Sequence, residues 1–122
     1  MTDKKKVLII DENGQSFARV GNTLFQNLNI DLVDVWHNSQ DLTAYDVIVI
    51  EPYPECKFND SFDVLIQAAD SADTQVIVLS TVRENHLRNM FNVKADIEYR
   101  QKPLSSVEFY KELGGIPKLE VQ

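Results

Sequence analysis

The chain has 122 residues, 43% of them hydrophobic and 25% charged, and carries a formal net charge of −7. That length and balance suit one domain that buries its own core, and so acidic a surface would repel a nucleic-acid backbone. The single cysteine, Cys56, excludes an internal disulfide and fits a reducing compartment. No apolar run approaches a membrane span and the first residues carry no signal-peptide pattern, so a cytoplasmic protein that binds neither nucleic acid nor membrane is expected.

In chain order, Lys4-Lys5-Lys6 reads as a solvated lead into Val7-Leu8-Ile9-Ile10, a continuous apolar run of the kind that forms a strand covered on both faces. Asp11-Glu12-Asn13-Gly14 closes it, with Gly14 easing the turn. A helical period starts at Ser16: Phe17, Val20, Leu24, Phe25 and Leu28 share one face, and Asn27 or Asn29 suits the helix end. Gly21 inside that helix costs about 1 kcal/mol against alanine, which points to close packing there. Ile30 to Trp36 reads as a short strand, with Trp36 as a cover over the sheet edge. His37 has no cysteine or histidine at metal-ligand spacing and reads as a surface residue. Between Trp36 and Tyr45 there is material for one helical turn near Ser39 to Leu42, so the second helix is expected to be shortened.

Asp46-Val47-Ile48-Val49-Ile50-Glu51 is the central stretch. Four β-branched residues form a buried strand, and Pro52 and Pro54 cannot donate to a ladder, so the strand stops at Glu51. Phe62, Leu65, Ile66 and Ala69 then mark a helix, Val76-Ile77-Val78-Leu79 a strand ending at Ser80, and His86, Leu87, Met90 and Phe91 another helix. Ile97 to Arg100 is a weaker strand that leads to Lys102. Val107, Phe109, Tyr110 and Leu113 form a last helix, capped by Ser105 or Ser106 and stopped by Gly114-Gly115. Residues 1–122 thus read as a single domain with its core at 4–113 and a tail, or the start of a linker, at 114–122. Five strands alternating with helices predict a doubly wound α/β fold: a five-stranded parallel sheet with helices on both faces. In such a sheet ligands gather outside the carboxyl ends of the strands, where Asp11, Glu12, Glu51, Ser80 and Lys102 would meet. Clustered carboxylates need a cation, and Mg²⁺ suits oxygen ligands. A hydroxyl and an ammonium opposite would suit phosphoryl oxygens.

In this order and placement the chain resembles the receiver domain of two-component response regulators, the CheY-like family with a flavodoxin-like fold, over nearly its whole length. Asp11-Glu12 stands at the family's acidic pair, Glu51 at the phosphoacceptor, Ser80 at the hydroxyl switch and Tyr99 at the rotating aromatic. Lys102-Pro103-Leu104 stands at the Lys-Pro motif, whose peptide bond is usually cis. The resemblance implies a Mg²⁺ site of Asp11, Glu12, Glu51 and Tyr53. It also implies partners, either a second copy of the chain or an output domain, bound through the last helices and last strand. Two departures stand out: the acceptor aspartate is replaced by Glu51, and the second acidic residue is Glu12. A misplacement of about 1 Å can cost a hundredfold in rate, so Mg²⁺ binding is expected to be weak or absent and phosphorylation inefficient.

Several functions follow. The leading expectation is a non-enzymatic signalling module, a pseudo-receiver acting through protein–protein interaction without the usual aspartyl phosphorylation. In it Glu51 either mimics a phosphoryl group, holding Ser80 and Tyr99 in the activated arrangement, or merely pairs with Lys102. The alternative is a Mg²⁺-dependent phosphoacceptor of a phosphorelay with Glu51 as nucleophile. A flavin or nucleotide site fares worse, because the first loop offers carboxylates where phosphate needs amides. A hydrolase is weaker still: Ser80 has no recognisable base, His86 reads as helix surface and Cys56 as an inert loop thiol.

Overall fold

The computed structural model describes residues 4–11, 13–33, 42–51, 72–80 and 97–118. The expectations placed on Glu12, Trp36, His37, Tyr53, Cys56 and His86, on the Pro52–Pro54 loop, and on the helices around 62–69 and 86–91 lie outside these residues.

Each continuous apolar run folds as a buried strand. The strands are β1 (Lys5–Ile10), β2 (Leu28–Val33), β3 (Val47–Ile50), β4 (Gln75–Ser80) and β5 (Glu98–Gln101). All neighbours are parallel, in the order β2-β1-β3-β4-β5. Val7, Ile9, Val49 and Leu79 lie on one face, against Ala18, Phe25, Phe109 and Tyr110. Leu8, Ile10, Ile48 and Ile50 point the other way and are 0% exposed, so that face is closed to water as well. Burial on both sides is why these strands read as unbroken apolar runs. β2 differs: Leu28 and Ile30 are buried while Asn29 and Asp31 are exposed, the alternation of an edge strand. The architecture is a flavodoxin-like α/β fold.

Helix α1 (Gln15–Leu24) crosses from β1 to β2. Gly21 lets it sit close: a Cβ there would lie 2.7 Å from Ile30 Cγ1 and 2.8 Å from Tyr110 Cζ. At the next residue, the Asn22 amide donates to the Ile30 carbonyl at 2.9 Å and accepts from its N–H at 2.8 Å. α1 ends at Leu24, short of the Asn27 or Asn29 expected from the apolar period. Phe25 is extended (φ −118°, ψ 136°) and Leu28 already belongs to β2. The reason lies far along the chain. Phe25 is bridged antiparallel to Pro117, Gln26 N–H donates to Ile116 O at 2.9 Å, and Lys118 N–H donates to Leu24 O at 2.7 Å. Asn27 adds a donor to Gly114 O and an acceptor for Ile116 N–H. Residues 114–118, expected as a tail, are therefore a strap across the end of α1.

Between β2 and β3 the described chain holds one 3₁₀ turn at Leu42–Ala44, slightly later than the turn expected near Ser39 to Leu42. The second described helix, α2 (Ser106–Glu112), starts at Ser105, whose hydroxyl accepts from Glu108 N–H at 3.2 Å. It stops at Gly114, which has φ +93°, a region glycine enters without steric cost. Lys5 is not simply solvated: its Nζ donates to Leu113 O at 2.7 Å, placing a cation at the negative end of α2. Tyr110, 0% exposed, donates its hydroxyl to Phe17 O at 2.6 Å and so ties α2 to α1. Burial pushes the Tyr110 phenol well above the ordinary tyrosine value.

Two outcomes follow from this packing. Gly21→Ala forces Ile30 or Tyr110 aside and should cost about 1–3 kcal/mol in urea unfolding. Tyr110→Phe should cost about 1 kcal/mol at neutral pH through its lost hydrogen bond. Because the folded-state phenol titrates above the unfolded one, the stability tied to its neutral form is complete below the ordinary value of 10.0. It is lost as pH rises past that value, since the unfolded chain ionises first. The gap between wild type and Tyr110→Phe should therefore narrow as urea curves are taken into the alkaline range.

Candidate functional site

The β2-β1-β3-β4-β5 order reverses direction between β1 and β3, and a crevice opens at the carboxyl ends of those two strands. Asp11 and Glu51 are the first residues beyond them. Each is fixed by one more rung of the ladder: Asp11 N–H donates to Val33 O at 3.0 Å and Glu51 N–H to Ile10 O at 3.1 Å. Lys102, the first residue beyond β5, does the same to Ser80 O at 2.8 Å. Strand alternation sends all three side chains to the face that carries Ile9, Val49 and Leu79. These apolar residues, with Phe17 and Asn13, line a cleft of about 50 Å³ together with the three charged groups.

Lys102 Nζ lies 3.2 Å from Glu51 Oε1 and 3.4 Å from Asp11 Oδ2. The carboxylate side chains are only 11% and 12% exposed, and the lysine is 31% exposed. Asp11 is held from its other oxygen as well, since Oδ1 accepts from Asn13 N–H at 2.9 Å, and Gly14 N–H donates to its carbonyl at 3.1 Å. The Asp-x-Asn-Gly turn thus aims Asp11 Oδ2 at the ammonium. One cation serves two largely buried anions, and these three groups together carry one negative charge. Removing the cation would leave two desolvated carboxylates facing each other, the costly half of a broken buried pair.

The other expected site residues take different places. Ser80 ends β4, 0% exposed, on the face of Val76 and Val78, and meets Lys102 through its backbone carbonyl. Tyr99 pairs in register with Val78 on that same face, with its hydroxyl oxygen shielded from water. The Lys102–Pro103 bond is cis. Glu12 and Tyr53 lie outside the described residues. Sequence reasoning gave no site role to Asn13, although the Asp-x-Asn-Gly pattern is a turn signal that could have exposed it. It also assigned Phe17 to the helix stripe alone.

Of the four residues that the resemblance implies for Mg²⁺, Asp11 and Glu51 are among those described. Asp11 and Glu51 are already charge-paired by one ammonium, and a divalent ion using those oxygens would have to displace it. Among the described residues, no three His, Cys, Asp or Glu side chains form a metal-binding group.

No protein-family profile and no curated protein matches the sequence. Shape is informative. The chain superposes on the crystal structure of a two-component response regulator from Clostridium difficile with a TM-score of 0.60 and 16% identity, over 90% of this chain and 93% of that one. The fold is receiver-like. In this receiver-like domain the cleft lies at the carboxyl edge of the sheet, between β1 and β3 and against β5. Among the described residues no helix is long and apolar enough to cross a membrane.

The anchoring of Asp11 separates two effects. Asp11→Asn keeps an acceptor for Asn13 N–H and loses the charge, together with the oxygen that faces Lys102. Asp11→Ala loses that acceptor as well and should be less stable than Asp11→Asn by about 1 kcal/mol in urea unfolding.

Proposed function

We propose that this chain is a receiver-like signalling module that acts by protein–protein contact and runs no phosphorylation cycle at Glu51. One observation carries the reading: the Lys102 ammonium is shared between Glu51 and Asp11. A carboxylate that attacks a phosphoryl group must present an oxygen in line with it, and here Glu51 Oε1 is turned to a cation and its reach is one methylene longer than an aspartate's. About 1 Å of misplacement is enough to cost a hundredfold in rate. The sharing with Asp11 favours charge satisfaction over phosphoryl mimicry, because the lysine is not committed to Glu51 alone. On this reading the chain is not an enzyme.

The proposed contact surface is the last strand with the last helices, used by an output domain or a second copy of the chain in the cytoplasm. Two features support it. Arg100 on β5 bridges Glu98 at 3.0 Å and Glu112 of α2 at 3.3 Å, and Glu98 accepts from Gln75 Nε2 at 2.6 Å. This charged lattice discourages indiscriminate strand pairing while offering fixed charges to a matching partner.

Incubation with acetyl phosphate and Mg²⁺ followed by intact mass measurement should leave the protein unmodified. A stoichiometric, base-labile phosphoryl adduct that disappears in Glu51→Gln would overturn the proposal.

A further inference from the structure

We propose that Lys102 is the resident cation of this cleft and keeps divalent metal out of it by charge, not by size. The inference deepens the function proposed above and rests on its reading of the cleft as one that runs no phosphorylation cycle. Three observations combine. The cleft of about 50 Å³ has room for a few water molecules, and thus for an ion. The two carboxylates that line it both contact Lys102 Nζ, at 3.2 and 3.4 Å. The lysine is tied at its backbone to Ser80 O at 2.8 Å, so its stem starts from a fixed point at the mouth of the cleft.

The charges then decide the occupant. With the ammonium in place, Asp11 and Glu51 are neutralised to a net single negative charge. A divalent ion brought to the same oxygens would stand within a few ångströms of a like charge in a partly desolvated site, where repulsion is several-fold stronger than in water. It binds only by driving Lys102 outward, and the displaced lysine gives up two ion pairs at once. A neutral side chain at this position removes the competitor and leaves two carboxylates in need of a counter-ion. Glu51 is the longer of the two acidic arms, which brings its oxygen out to the ammonium while its backbone stays on the ladder.

The test is a calorimetric titration of Mg²⁺, and separately Mn²⁺, into the wild-type chain and into Lys102→Met, Lys102→Gln and Lys102→Arg, at constant ionic strength. Wild type and Lys102→Arg should show no saturable binding through several millimolar. Lys102→Met and Lys102→Gln should bind at least roughly tenfold more tightly, since one opposing charge is gone. Adding Glu51→Gln to either neutral variant should abolish the gain. Circular dichroism melts confirm that each variant folds; should neither neutral variant fold, the wild-type titration decides, because saturable wild-type binding overturns the inference by itself. Neutral variants that fold and bind no better than wild type also overturn it. The acetyl phosphate assay separates this inference from the one beneath it. A wild-type chain that binds metal but takes no phosphoryl group sinks the resident-cation idea and spares the proposed function. A chain that takes the phosphoryl group sinks both.

Discussion

The site depends on the parallel hydrogen-bond ladder running one residue past each strand. Asp11, Glu51 and Lys102 are each the first residue after a strand, and each backbone N–H bonds to the last or near-last carbonyl of a neighbour. A loop residue held only by its own turn would leave its side chain a wide arc. A residue on the final rung inherits the direction of the pleat, so all three side chains fall on the same face without any local device beyond the Asp11–Asn13 turn. The core that keeps the sheet rigid therefore also sets the spacing between the charges.

How much of this was legible differs from element to element. β1, β3 and β4 could be read because four successive buried residues have one good explanation, a strand covered on both sides. The end of α1 could not. Phe25 and Leu28 fit a helical period from Phe17, yet Leu28, Ile30 and Leu32 also alternate as an edge strand, and the second pattern won because residues 114–118 supply partners for the backbone at 24–27. That decision is made by a segment some ninety residues away in sequence, bonded to the main chain of Leu24 and Gln26 and to the Asn27 side-chain amide, and nothing near residue 24 announces it. Lys5 obeys the same logic: a triplet of lysines reads as wet until the helix end that one of them caps is in place.

The charged residues of the cleft were legible one at a time, as the first ionisable groups after apolar runs. Their mutual arrangement was not. Whether Lys102 would choose Glu51, Asp11 or both is a matter of tenths of an ångström between strands that are neighbours only after folding. Ser80 and Tyr99 show the same limit: their places on β4 and β5 follow from the pattern, but that they continue the face opposite to the charged cluster follows from register. The receiver-like backbone is shared with a regulator of 16% identity, and likeness of shape at that identity leaves function to be argued from the cleft itself.

The Asn22 amide that clasps both main-chain groups of Ile30 has a consequence for how the domain meets its neighbours. β2 borders the sheet, and the Ile30 main-chain groups near its middle form a rung that an added strand would need. A carboxamide borrowed from α1 fills that rung in advance, acting as a one-residue dummy strand. Lengthening the sheet from this side would require prising the helix residue away first, which steers association toward side-chain surfaces and away from backbone grafting.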